Sequence, residues 1–339
     1  MRESLGLPYS DLHVHGREIV ARSLVWDNHG CMPLRPDARF LPQLERYRNA
    51  GVNIVSLNVG FADMSWTEDL RVLSYMRQWI AKRPDRYVLV ESLDDIHSCK
   101  QSGRLGIVFD IEGMNPVQRD PSLVQTFYEL GVKWMLIAYN QNNAAGGGCL
   151  DADPGLTDIG RAILDEMERV GMVLCLSHTG EKTATEALEY RKSPTIFSHS
   201  NPYGDNPHSR NISDELIRAC ARRGGVVGLS GIGPYLGTGL GLVACLLRQI
   251  RYVVDLVGAE HVGLGLDYVF DATELDDYVR LNPQLFPPDL LNAGGGMAMI
   301  PPEAIEGIAE CLARVNFSEA QISGILGGNW LRVAGQVWR

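Results

Sequence analysis

Apolar residues along this chain gather in short runs, each followed by a polar cluster and then by a stretch whose apolar positions recur at helical spacing. Runs at 24–26, 53–59, 87–90, 105–109, 134–138, 172–176, 195–197, 226–229 and 262–266 read as strands. Between them, 158–170, 214–223 and 246–257 read as amphipathic helices, each ending near a glycine, where a helix can terminate in a left-handed turn. Repeated β-then-α order predicts a parallel sheet, and eight such units close a (β/α)8 TIM barrel. Of the nine runs, 87–90 is the weakest and the one to set aside. No Ser/Gly-rich linker or internal repeat divides the chain, so residues 1–339 read as a single barrel domain, with 1–20 as an N-terminal extension and 300–339 as terminal helices packed against the outside.

Function in such barrels collects just beyond the C-terminal ends of the strands. Ligand-type residues stand there repeatedly. Trp26 leads to Asp27, His29 and Cys31; Phe109 to Asp110 and Glu112; Ala138 to Tyr139 and Asn140. Leu176 leads to His178, Phe197 to His199, and Leu266 to Asp267. Imidazoles from His29, His178 and His199 with the Glu112 carboxylate are a donor set that zinc prefers. Cys31 stands two residues after His29, so in extended backbone both side chains point the same way and a thiolate could reach the same ion. Glu112 can bridge two metals with its two oxygens, and Asp267 is placed to move a proton to and from a metal-bound nucleophile. Each residue also has a plainer reading: a histidine at a loop start can be a cap, Cys31 a small buried hydrophobe, Asp267 a cap on the next segment. His13-x-His15 offers a rival pair, but no apolar run precedes it, and a solvated N-terminal segment explains it better.

Charge narrows the partners. With 31 Lys and Arg against 41 Asp and Glu, a net of -10, and no basic stripe, nucleic acid is excluded as the expected partner. The N-terminus lacks a secretory layout and no apolar run reaches membrane length, so a cytoplasmic protein without a membrane partner is expected. Seven scattered cysteines with no C-x-x-C pair argue against disulfides.

Several ordered blocks resemble the membrane dipeptidase family, peptidase family M19. They are Gly155-Leu156-Thr157-Asp158-Ile159-Gly160, Leu176-Ser177-His178, Phe197-Ser198-His199-Ser200-Asn201, Arg210-Asn211-Ile212-Ser213-Asp214, Gly224-Gly225-Val226-Val227-Gly228, the stretch from His261 to Asp267, and Gly327-Gly328-Asn329-Trp330. The resemblance implies a zinc hydrolase of dipeptides on a (β/α)8 barrel, acting as a homodimer. It implies His178 and His199 as ligands of one zinc, His29 of another, and Glu112 as the bridge. Arg210 would hold the carboxylate end of the substrate and Asp267 would handle the proton near its amine. Two residues depart from the family pattern. His29-Gly30-Cys31 puts a thiol where His-x-Asp is usual, and Tyr139 stands where a carbonyl-polarising histidine is usual. A thiolate still holds zinc, but it donates more charge and blunts the acidity of bound water, so two zincs are expected and one is the alternative. A phenol can donate one hydrogen bond to an oxyanion, which gives Tyr139 a catalytic reading and places it with Asn140 on the substrate side. The same departures leave open a metallohydrolase of another amide or a lactone, and a silent barrel used for binding.

Overall fold

The structure is a computed structural model that describes residues 9–62, 64–291 and 296–339, with side chains from His15 onward. Eight parallel strands close a barrel: β1 (Trp26–Cys31), β2 (Ile54–Phe61), β4 (Leu105–Glu112), β5 (Val132–Leu136), β6 (Val173–Cys175), β7 (Thr195–Phe197), β8 (Val226–Leu229) and β9 (Val262–Leu264). The ring shuts where Asp27 of β1 registers with Leu264 of β9. The run at 87–90 does form a strand, β3 (Tyr87–Leu89), but it pairs only with β4 and lies off the ring. A short strand, β10 (Tyr268–Val269), extends the sheet beside the end of β1.

The strands are buried along most of their length, as expected of a parallel sheet covered by helices, and this is why they read as apolar runs. The helices around them are fixed by their ends. Thr157 caps the helix Asp158–Val170 by accepting from the Gly160 amide at 3.1 Å, and Gly171 ends it in the left-handed region at φ 84°. Ile163, Leu164, Met167 and Val170 form its buried face.

Two strands run further than their apolar stretches. β1 includes His29 and Cys31, and β4 includes Asp110 and Glu112. A polar side chain at the C-terminal end of a barrel strand still joins the ladder through its backbone while its head faces the rim, so an apolar run ends too early as a marker. The N-terminal segment differs from expectation: Tyr9–Arg22 is a helix packed on the helix Ile305–Arg314. A methyl on Gly16 would overlap the Glu306 carbonyl, so the absent side chain permits that approach. His15 is exposed on this helix; His13 has its side chain outside the described residues. Trp330, from the last helix Asn329–Val337, donates to the Leu264 carbonyl at 3.1 Å and joins Trp26 and Trp134 in an apolar cluster. All seven cysteines are free, and among the described residues no helix is long and apolar enough to cross a membrane.

Candidate metal centre

The barrel's C-terminal rim brings His29, Glu112, His178 and His199 together around one carboxylate oxygen. Glu112 Oε1 lies 3.5 Å from His29 Nε2, 3.4 Å from His178 Nε2 and 3.2 Å from His199 Nε2. These groups are all buried, and Glu112 Oε1 takes no hydrogen bond among the described residues. A buried carboxylate facing three ring nitrogens is an arrangement that a cation satisfies. A second convergence shares His29: Cys31 Sγ stands 3.5 Å from His29 Nε2 and 3.8 Å from Asp267 Oδ1, and His29 Nε2 is 3.6 Å from Asp267 Oδ1. Two groups of three potential metal donors result, His29–Glu112–His199 and His29–Cys31–Asp267.

Backbone geometry aims these side chains. His178 and Asp267 stand just past their strands in the left-handed region, at φ 63° and 61°, as does Asn140 at 58°. A non-glycine residue at such a φ is uncommon and clusters at functional sites. Asp267 is held there by its amide, which donates to the His29 carbonyl at 2.9 Å. His199 is reached through a crowded crossing: methyl groups on Gly228 or Gly265 would overlap the Ser198 carbonyl.

Outer contacts select tautomers. Asn140 Oδ1 is 2.7 Å from His178 Nδ1, and Asn140 Nδ2 donates to the Leu285 carbonyl at 2.8 Å. A carbonyl only accepts, so that second bond orients the amide, its oxygen must accept from His178 Nδ1–H, and Nε2 keeps its lone pair for the centre. Behind His29, Asp110 Oδ2 lies 3.5 Å from Nδ1, a charge contact rather than a hydrogen bond. Sequence reading placed Asp110 at a strand end but gave it no role; its position two residues before Glu112 was the available signal.

Burial and neighbouring charge compete over the protonation of the site. At His29 burial pushes the imidazole down, but Cys31, Glu112 and Asp110 outweigh it and hold the ring well above its usual range. Burial pushes His178 and His199 well below the usual imidazole range, aided by Arg210, and leaves both rings neutral and able to ligate. Burial pushes Glu112 up, but His29, His178 and Arg210 outweigh it and hold the carboxylate below its ordinary value. Burial lifts Asp267 to about 6 against the pull of His29, close to where a proton shuttle works at neutral pH. Burial also lifts the Cys31 thiol to about 12, so ligation by Cys31 would release a proton.

Over this rim opens a cavity of about 630 Å³ reached by Cys31, Glu112, His178, Asp267 and Tyr139. Tyr139 stacks on His178 with centroids 4.1 Å apart, and burial keeps its phenol protonated. Tyr235, from the 234–236 segment, also lines the cavity. Arg210 is 2% exposed and lies one layer back, its guanidinium 5.3 Å from the Tyr235 ring. It has no carboxylate partner among the described residues, and its Nε takes part in no hydrogen bond. Asn140 is buried behind His178 and does not line the cavity.

The closed parallel ring, with a histidine and carboxylate cluster at its C-terminal rim, defines an α/β barrel carrying a candidate metal centre. Residues 41–286 match the membrane dipeptidase family, peptidase family M19, and the chain belongs to that family. Among curated relatives, dipeptidase aclJ of Aspergillus oryzae is 31% identical over 75% of this chain and 57% of its own length. An uncharacterized dipeptidase of Schizosaccharomyces pombe is 28% identical over 78% of this chain and 61% of its own. This chain therefore spans less than two thirds of either relative. Among solved structures, an amidohydrolase from Pseudomonas aeruginosa superposes with a TM-score of 0.85 at 27% identity, covering 95% of this chain and 99% of that one.

Proposed function

We propose that this chain is a metal-dependent hydrolase of dipeptides or similar small amides, with zinc held by His29, Cys31, Glu112, His178 and His199. The observation that carries this reading is the convergence of three imidazole nitrogens within 3.2–3.5 Å of Glu112 Oε1 on the floor of an open cavity. Bound zinc supplies an acidified water and a Lewis acid for the scissile carbonyl. Asp267, whose Oδ1 is 3.6 Å from His29 Nε2 on the cavity wall, takes the proton from the attacking water and returns it to the leaving amine. Tyr139 donates its phenolic hydrogen to the oxygen that becomes negative. Arg210, a buried cation without a counter-charge, pairs with the carboxylate end of the substrate. Membership of the family supports dipeptides as the substrate class.

The test is metal content by elemental analysis on zinc-supplied protein, beside dipeptide turnover. Two zincs per chain are expected, falling to one in Cys31→Ser, and His199→Ala abolishes hydrolysis. Full activity in His199→Ala overturns the metal mechanism. One zinc in both the parent and Cys31→Ser removes Cys31 from the ligand set.

A further inference from the structure

The cavity above the candidate centre holds far more than a peptide bond requires, and its outer wall is unusual. Four rings form a closed circuit there: Phe61 from the end of β2, Tyr139 from the loop after β5, and Tyr278 and Phe286 from the segment that follows β10. Phe61 meets Tyr139 at 5.2 Å and Tyr278 at 5.5 Å, while Phe286 meets Tyr139 at 6.2 Å and Tyr278 at 5.9 Å, every pair edge to face. Such packing makes a stiff apolar panel. Met64, Leu275, Leu290 and Met297 continue it, and methionine side chains adapt to varied shapes. Most charged residues near this wall are paired with one another or held by a local partner. Arg35 binds Asp37, Asp271 and Glu274, Ser65 donates to Glu68, and Arg71 points out at the mouth.

We propose that this aromatic panel is a specificity subsite for a large apolar side chain, and that the substrate class is dipeptides carrying at least one bulky aromatic or branched aliphatic residue. The proposal rests on the dipeptide-hydrolase reading above and narrows it. A charged side chain placed against the panel loses its water without gaining a partner, and a methyl group leaves the panel hydrated. A leucine or phenylalanine side chain displaces that water and touches rings on several sides. Each added methylene in such a pocket is worth about tenfold or more in selectivity, so a bulky residue exceeds alanine by at least that factor.

The experiment uses the full-length, zinc-loaded enzyme on Ala-Ala, Ala-Asp, Ala-Lys, Leu-Phe and Phe-Leu. At least one of the bulky pair should exceed Ala-Ala in kcat/KM by about tenfold or more, with the charged peptides lowest. Tyr278→Ala and the milder Phe61→Leu should each shrink the ratio of bulky to small substrate, with metal content and melting temperature verifying that the variants fold. Ala-Ala turned over as well as the bulky pair overturns the proposal, and so does an unchanged ratio in both variants. Calorimetric binding of uncleavable analogues, with CH2–NH in place of the amide, keeps the two readings separate. Absence of turnover on every dipeptide counts against the hydrolase reading, while the panel proposal then stands or falls on whether the bulky analogues bind more tightly than the Ala-Ala analogue.

Discussion

Asp69 offers a quantitative test of the structure beside the site. It lies in the helix Trp66–Ala81, is 1% exposed, and its carboxyl packs on Gly60 of β2, the strand that carries Asn58 and Phe61 into the cavity. Neither of its oxygens takes a hydrogen bond among the described residues. Burial, with a smaller push from Glu68, lifts its pKa from 3.8 to about 8. Below the lower value both folded and unfolded chains are protonated and the group has no influence. Between the two values the unfolded chain releases a proton that the folded chain keeps, so stability falls as pH rises, by about 1.4 kcal/mol per unit. The loss reaches about 4 kcal/mol at pH 7 and about 6 kcal/mol once pH passes the folded value. Asp69→Asn retains the shape and removes the charge. For 339 residues, an unfolding entropy of about 2 cal/mol/K per residue turns about 6 kcal/mol into about 9 °C. Melting curves of parent and variant at pH 5, 6, 7 and 8 provide the assay. The variant should gain about 1–2 kcal/mol at pH 5 and several at pH 8, because titration elsewhere cancels in the difference. A difference that stays constant across the series would refute the account of Asp69 as a buried acid kept neutral by folding.

Two further outcomes follow from the site. Arg210→Met should lower kcat/KM on free dipeptides by about a hundredfold or more, while melting temperature holds or rises, since an unpaired buried cation costs stability; steady-state rates on dipeptides and dipeptide amides check it, and equal losses on both would deny Arg210 the carboxylate. Asn140→Asp keeps an oxygen for His178 Nδ1 and loses the donor to Leu285, so metal content should hold with kcat within a few fold. Asn140→Ala should instead lower metal affinity and kcat by about tenfold or more, as elemental analysis and steady-state rates would show.

Much of this architecture was legible because a barrel strand buried on both faces is a run of apolar residues. The runs at 195–197 and 226–229 coincide with β7 and β8, and 158–170 coincides with its helix, where Thr157 and Gly171 mark both ends. His178, His199 and Asp267 stood out as polar residues directly after such runs. The ends of β1 and β4 were misplaced for the same reason: His29 and Glu112 are polar, so the pattern stopped short of strands that in fact carry them. Other relations had no local signature. The double duty of Asn140 depends on Leu285, and the aromatic panel on Phe61, Tyr139, Tyr278 and Phe286, residues that only the closed barrel brings side by side.

The seam of the barrel runs through the donor set. Cys31 and Asp267 meet across 236 positions of sequence, at the junction where the first strand pairs with the last. Contacts of such separation form late, after the intervening chain has met the entropy of closing so long a loop. A chain emerging from its N-terminus therefore presents His29 and Cys31 long before His178, His199 and Asp267 exist to complete the pocket. On the proposed metal reading, tight capture would require the finished ring, and an ion held there would act as a clasp on the seam, resisting the fraying of first strand from last that would open the barrel.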